Sequence, residues 1–153
     1  MEITKKISLP CSSTVVWQWI TEFDKIQKWN PTVLQEEILS SGQPGPGFKS
    51  KILLKEGKKE LWYDSEITDY TPEKSLHMVL RGGNLGSAPM YLDYEIKEEM
   101  GKTELTYYNR WQPKGLMMKL LHPMIKKMAD KNAGEVMRLL KNHIEKEVTS
   151  INS

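Results

Sequence analysis

The sequence is poor in the residues that announce a chemistry. A single cysteine, Cys11, excludes an internal disulfide. The three histidines, His77, His122 and His143, stand far apart and form no Cys/His cluster with zinc spacing. No uninterrupted apolar run approaches the length of about eighteen residues that a membrane-spanning helix needs. The opening segment MEITKKISLP has no apolar run behind its lysines, so no signal peptide is expected, and a reducing cytoplasm is the expected compartment. Charge of one sign is also lacking. Lysine and arginine total 22 against 20 acidic residues, a net charge of +2, which speaks against nucleic-acid binding because phosphate contact needs a concentrated basic face. Hydrophobic content of 39% with 27% charged residues excludes disorder, and 153 residues fit one domain, expected over 1–153 with its core at about 3–148.

What is present is patterned. Ile3, Lys5, Ile7 and Leu9 share one face of a first strand. The stretch VWQWITEFDKIQKWNP, from Val16 to Pro31, then concentrates Trp17, Trp19, Phe23 and Trp29 in two short helices. Ser12 or Ser13 is the expected cap of the first helix and Asp24 of the second, and Pro31 is the stop. From Thr32 the apolar period becomes two. The strands read TVLQEEILSS, FKSKILLK, ELWYDSEITDY, SLHMVLR, PMYLDYEIKEE and TELTYYNRWQP, separated by hairpin-length turns that predict an antiparallel meander. Beyond Gly115 the period returns to 3.6. Met117, Leu120, Leu121, Met124, Met128, Val136, Met137, Leu140, Ile144 and Val148 read as one apolar stripe over about nine turns, with a kink or break at Pro123.

Strand parity sorts the polar residues. With Phe48, Ser50, Ile52 and Leu54 on one face, and Leu61, Tyr63, Ser65 and Ile67 likewise, the same side takes Leu76, Met78 and Leu80. It also takes Met90, Leu92, Tyr94 and Ile96, and then Leu105, Tyr107, Asn109 and Trp111. Every strand carboxylate, including Asp64, Glu66, Asp93, Glu95 and Glu104, then lands on the wet side, leaving no acid–base pair inside unless a bulge inverts the parity. The inward polar set is neutral: Tyr63, Ser65, Tyr94, Tyr107 and Asn109. Such groups on an apolar wall either satisfy one another in a filled core or orient a ligand. Asn109 is the most informative, because a buried amide without a partner costs about 1–3 kcal/mol. Methionines at Met78, Met90, Met117, Met124 and Met128 suit an interior that adapts to irregular apolar shapes, although plain core packing uses them too. The glycine-rich GQPGPGFK lacks the Gly-Lys-Ser/Thr ending of a phosphate loop and is a turn. RGGNLGSAP, Arg81 to Pro89, opens no helix and reads as a hairpin loop placed to act as a lid. Lys114, Lys119, Lys126, Lys127 and Lys131 are either a solvated face or an attraction to an anionic membrane surface.

The order of one strand, two short helices, six strands and a long helix resembles the START-like, helix-grip superfamily, nearest its polyketide cyclase/dehydrase-type branch. The residues that carry the resemblance are Pro10, Val16-Trp17, Ile20, Asp24, Trp29-Asn30-Pro31 and Pro46-Gly47, and it spans Ile3 to Glu147. It implies an α+β fold, a curved seven-stranded antiparallel sheet whose two short helices plug one end and whose C-terminal helix closes a cavity. In that arrangement Trp29, Phe48, Ile52, Tyr63, Ser65, Met78, Leu80, Met90, Leu92, Tyr94, Tyr107, Asn109, Trp111, Met117, Leu121, Met124 and Met128 are the expected lining. The expected role is binding or carriage of a small hydrophobic molecule (lipid, polyketide-like or aromatic) between sheet and C-terminal helix. A cyclase or dehydratase is the enzymatic alternative, with Tyr107, Asn109 and His122 as its best grouping; a ligand-free interaction module is the third. No cofactor and no metal are implied. The small apolar molecule is the expected partner, and the edge beside TVLQEEILSS is the place where a dimer would pair.

Overall fold

The computed structural model describes residues 1–85 and 88–152. Strand β1 (Glu2–Leu9) leads into helices α1 (Ser13–Thr21) and α2 (Phe23–Trp29). Strands β2 (Val33–Ile38), β3 (Lys49–Glu56), β4 (Lys59–Thr71), β5 (Ser75–Gly82), β6 (Met90–Glu99) and β7 (Lys102–Arg110) follow, then helices α3 (Leu116–Leu120) and α4 (His122–Asn152). The strands form one antiparallel sheet in the order β1-β7-β6-β5-β4-β3-β2, a meander from β2 to β7 with β1 returning to pair with β7. This is the helix-grip architecture.

Local chemistry explains the boundaries. Ser12 caps α1 by accepting from the Val15 amide at 3.4 Å, which satisfies one of the amides a helix start leaves free. The cap of α2 is Glu22 without a side-chain bond; Asp24, the expected cap, sits inside the first turn, where its charge favours the positive end of the helix. The β6–β7 hairpin turns on Met100 and Gly101, with φ of 52° and 76°, the paired left-handed residues that suit the twist of a two-residue loop. The C-terminal helix is broken at Leu121, which ends α3. Pro123 falls in the first turn of α4, where its missing amide proton costs nothing.

The core joins α1, α2 and α4 to the sheet through Leu9, Val16, Trp19, Ile20, Trp29, Leu105, Met137, Leu140 and Ile144. The tryptophans are this junction. The Trp29 indole donates to the Trp19 carbonyl at 2.9 Å, and the Trp19 indole donates to the Glu147 carboxylate at 2.5 Å, so α2 is tied to α1 and α1 to α4. Lys25 lies over the Trp19 ring at 4.9 Å, and Trp17 meets Tyr70 edge-on at 5.1 Å. The polar tips of buried indoles find partners, as their desolvation requires.

The expected single stripe of the C-terminal helix is in fact two. Met137, Leu140 and Ile144 are buried, whereas Met124 and Met128 are 54% and 60% exposed. Helical geometry accounts for this. Nine residues separate Met128 from Met137, and at about 100° per residue that places them on opposite sides of one continuous helix.

Candidate ligand cavity

A chamber of about 630 Å³ lies between the concave face of the sheet and the α1–α2 layer. The sheet supplies alternate residues from β3 to β7. Ser50, Ile52 and Leu54 come from β3, Ser65 and Ile67 from β4, and Leu76, Met78 and Leu80 from β5. Met90, Leu92 and Tyr94 come from β6, and Tyr107 and Asn109 from β7. Phe48 precedes β3, and Ile20, Phe23, Ile26 and Trp29 close the side opposite the sheet. A depression of about 750 Å³ on the outer face is lined instead by charged residues such as Glu2, Lys6, Asp93, Glu95, Glu104 and Arg110. It is the solvated side that parity assigns to those carboxylates.

Of the residues expected to line a cavity, Trp29, Phe48, Ile52, Ser65, Met78, Leu80, Met90, Leu92, Tyr94, Tyr107 and Asn109 surround this one. Six do not. Met117, Leu121, Met124 and Met128 are exposed, because the helix phase turns them away from the sheet, and no described residue of α3 or α4 borders the chamber. The chamber therefore lies under α1 and α2 and not between sheet and C-terminal helix as expected. Trp111 lies one residue beyond β7, where its amide donates to the Met1 carbonyl at 3.0 Å, and is absent from the wall. Tyr63 points inward as parity requires but is covered. Its ring fills the space where a Cβ on Gly83 would sit, and its hydroxyl is shared between the Glu56 carboxylate and the Asn84 side chain, the latter at 2.9 Å. Burial and the bond to Glu56 hold its pKa well above the usual phenol range. Tyr63 thus pins the turn after β5. Of the expected lid Arg81–Pro89, Arg81 and Gly82 belong to β5, Leu85 closes a turn onto Gly82, and Gly86 and Ser87 lie outside the described residues.

The polar end of the chamber is built across β6 and β7. Leu92 pairs with Asn109 and Tyr94 with Tyr107, so the four side chains are neighbours on one face. The Tyr94 and Tyr107 rings lie 5.4 Å apart, tilted by 45°. The Asn109 amide donates to the Tyr107 hydroxyl at 3.1 Å, leaving that hydroxyl's own proton to donate onward. The Asn109 Oδ1 is a buried acceptor with no partner. Burial pushes Tyr107 up to about 12, against the lowering effect of the Asn109 bond, and drives Tyr94 higher still, with Tyr107 adding to it. Both phenols are therefore neutral donors at physiological pH. His122 starts α4 and is absent from the wall, so the expected grouping of Tyr107, Asn109 and His122 is not assembled.

One carboxylate escaped sequence parity. Glu36 borders the chamber with Ile38, although strict alternation from Val33 would turn Glu37 inward. The register of β2 against β3 shifts between Val33 and Gln35, and that irregularity inverts the faces beyond it. Partial burial raises the Glu36 pKa above its ordinary value, although one side of the residue is open to solvent at the rim. A similar shift in β4, between Ile67 and Asp69, turns Tyr70 inward and leaves Asp69 beside His77 on the outer face. Cys11 is buried, and its thiol is pushed up to about 11 by desolvation and by Glu147 and Glu98, which disfavours the thiolate.

A chamber roofed by two short helices on a seven-stranded grip defines a START-like, helix-grip fold. The chain belongs to the family described as polyketide cyclase/dehydrase and lipid transport, whose model matches residues 1–145. Its fold is similar to that of a START superfamily protein from Mycobacterium smegmatis (15% identity, 95% of this chain and 97% of that one, TM-score 0.74). It is equally similar to the Zhui aromatase/cyclase from Streptomyces sp. R1128 (12% identity, 97% and 95%, TM-score 0.75). A conserved protein from Geobacillus kaustophilus is a third likeness (18% identity, 95% and 96%, TM-score 0.73). No curated protein matches the chain in sequence. Identities this low speak for the fold alone.

Proposed function

We propose that the protein binds and carries a small, mainly apolar molecule (a lipid, polyketide-like or aromatic compound) held in the chamber by one polar end. The observation that carries this reading is the unpartnered, buried Asn109 Oδ1 beside Tyr107 and Tyr94 in a chamber of about 630 Å³. A buried acceptor without a donor costs about 1–3 kcal/mol, and a ligand hydroxyl or N–H supplies the missing bond. The two phenols complement it as donors to a carbonyl or ether on the same ligand. Apolar walls and methionines at Met78 and Met90 receive the remainder. A filled core would favour a ligand-free interaction module, and the chamber argues against it. A cyclase or dehydratase draws support from one feature, the raised carboxyl of Glu36 at the rim, which is poised to give up or take a proton nearer neutrality than an ordinary glutamate.

Native mass spectrometry of protein purified gently from cells tests the carrier reading. An added mass of a few hundred daltons that leaves on denaturation is the expected result. A bare chain that also fails to bind 2-naphthol would count against it. If candidate substrates released from the protein are turned over, and Glu36→Gln abolishes turnover without weakening binding, the enzymatic reading takes its place.

A further inference from the structure

The first half of the C-terminal helix presents an apolar face to solvent. Leu116, Met117 and Leu120 are 75%, 74% and 73% exposed, and Met124 and Met128 continue the face onto α4. A swing of the helix onto the sheet does not cover it. Met137, Leu140 and Ile144 anchor α4 in the core, and Met128 lies on the opposite side of that unbroken helix from Met137. Charge around the face is mainly positive, and the nearest carboxylate, Asp130, is paired with Lys5 at 3.0 Å. Between Trp111 and Ala129 there are four lysines and no acidic residue, so with a total of +2 the rest of the chain is net negative. Lys127 and Lys131 fall three residues after Met124 and Met128 respectively, on the same side of the helix.

The face also stands at the end of the sheet where the polar part of the chamber lies. Trp111, just ahead of α3, bonds to Met1; Arg110 pairs with Tyr91; and Met90, Leu92 and Asn109 come next along the same strands. Apolar side chains interleaved with lysines on one helical face match the boundary of a bilayer with anionic headgroups, where methionine and leucine enter the acyl region and lysines meet the phosphates. An acidic protein surface would satisfy the lysines but not five exposed apolar side chains at once. We infer that α3 and the first turns of α4 are a docking surface for anionic membranes, placing the chamber's polar end beside the bilayer.

Flotation with phosphatidylcholine vesicles, with and without phosphatidylglycerol, tests this on the whole 153-residue chain. The wild type should float with phosphatidylglycerol-containing vesicles, bind phosphatidylcholine alone far less, and detach as ionic strength rises. Lys127→Gln with Lys131→Gln should weaken partitioning about twenty-fivefold, from roughly fivefold per lysine. Leu120→Glu, Met124→Glu and Met128→Glu together should weaken it roughly tenfold or more. These side chains are exposed, so the variants should keep the wild-type circular dichroism and 2-naphthol affinity, which separates this inference from the carrier reading. No flotation of the wild type, or equal flotation of all three proteins, overturns it. A concentration-dependent dimer abolished by the triple substitution also overturns it, because the face is then a contact between two copies of this chain.

Discussion

Replacing Asn109 with leucine separates a structural amide from one kept for a ligand. In the free protein the substitution removes the bond from Asn109 to the Tyr107 hydroxyl at 3.1 Å, a loss of about 0.5–1.5 kcal/mol. It also removes the unpartnered Oδ1, relieving about 1–3 kcal/mol of desolvation, and adds apolar burial of about 1 kcal/mol. The balance favours the variant by about 2 kcal/mol, so its melting temperature should rise by about 4–8 °C in a chain of this size. Binding should move the other way. A hydroxyl that donates to Oδ1 loses its acceptor, and a bond of about 1.4 kcal/mol corresponds to a tenfold change in affinity. The assay is a pair of titrations with 2-naphthol and naphthalene, followed through tryptophan emission because Trp29 lines the chamber. Wild-type protein should prefer 2-naphthol, and Asn109→Leu should lose about tenfold of that preference while keeping its affinity for naphthalene. A variant that is destabilised by more than about 1 kcal/mol yet keeps the wild-type preference would show that the amide serves the fold, and the reasoning about the orphaned acceptor would be wrong.

The helix phase is open to a paired test. Leu140→Ala should cost about 2–5 kcal/mol because Leu140 is fully buried, whereas Met128→Ala should stay within about 0.5 kcal/mol; similar costs in urea unfolding would mean that both residues face the core. Gly83→Ala should destabilise by about 1–3 kcal/mol, since φ is +55° there and the new Cβ overlaps the Tyr63 ring; unchanged stability would show that Tyr63 does not pin this turn. Cys11 gives a pH dependence. Its folded pKa of about 11 exceeds the ordinary 9.0, so the folded state holds the proton more tightly. The contribution is intact below pH 9 and lost as pH rises through 11, up to about 2–3 kcal/mol. Cys11→Ala should flatten that alkaline loss, and rapid thiol labelling of the native protein at pH 8 would contradict the burial.

The sheet was legible because its signal is local. Period-two alternation and short turns dictate antiparallel hairpins, and the inner face follows from parity alone wherever pairing is regular. That is why eleven of the expected wall residues surround the chamber, from Trp29 and Phe48 to Asn109. Parity failed where the ladder is irregular. The shift at Val33/Gln35 brings Glu36 to the rim, and composition gives no sign of it, since TVLQEEILSS reads equally well in either register. Tyr63 illustrates a different gap. Alternation gives its direction but not its cover, and the cover comes from the turn at Gly83 and Asn84 that folds over the ring.

Periodicity alone does not separate the two apolar faces of the helix, whereas residue spacing does. Methionines and leucines recur every three or four residues from Met117 to Met128 and again from Val136 to Val148, so each run fits the 3.6 period, yet the two runs are out of phase. A helix buried along its whole length keeps one phase. A phase reversal within one continuous helix means two apolar faces with two different neighbours. The second neighbour of α4 is the sheet and the α1–α2 layer, through Met137, Leu140 and Ile144. The first is not supplied by the described chain, and the lysines among its methionines specify a negatively charged one. The same residues that were expected to close the chamber thus face away from it. The apolar roof of the chamber is instead Ile20, Phe23, Ile26 and Trp29, with a volume of about 630 Å³ left between this layer and the sheet.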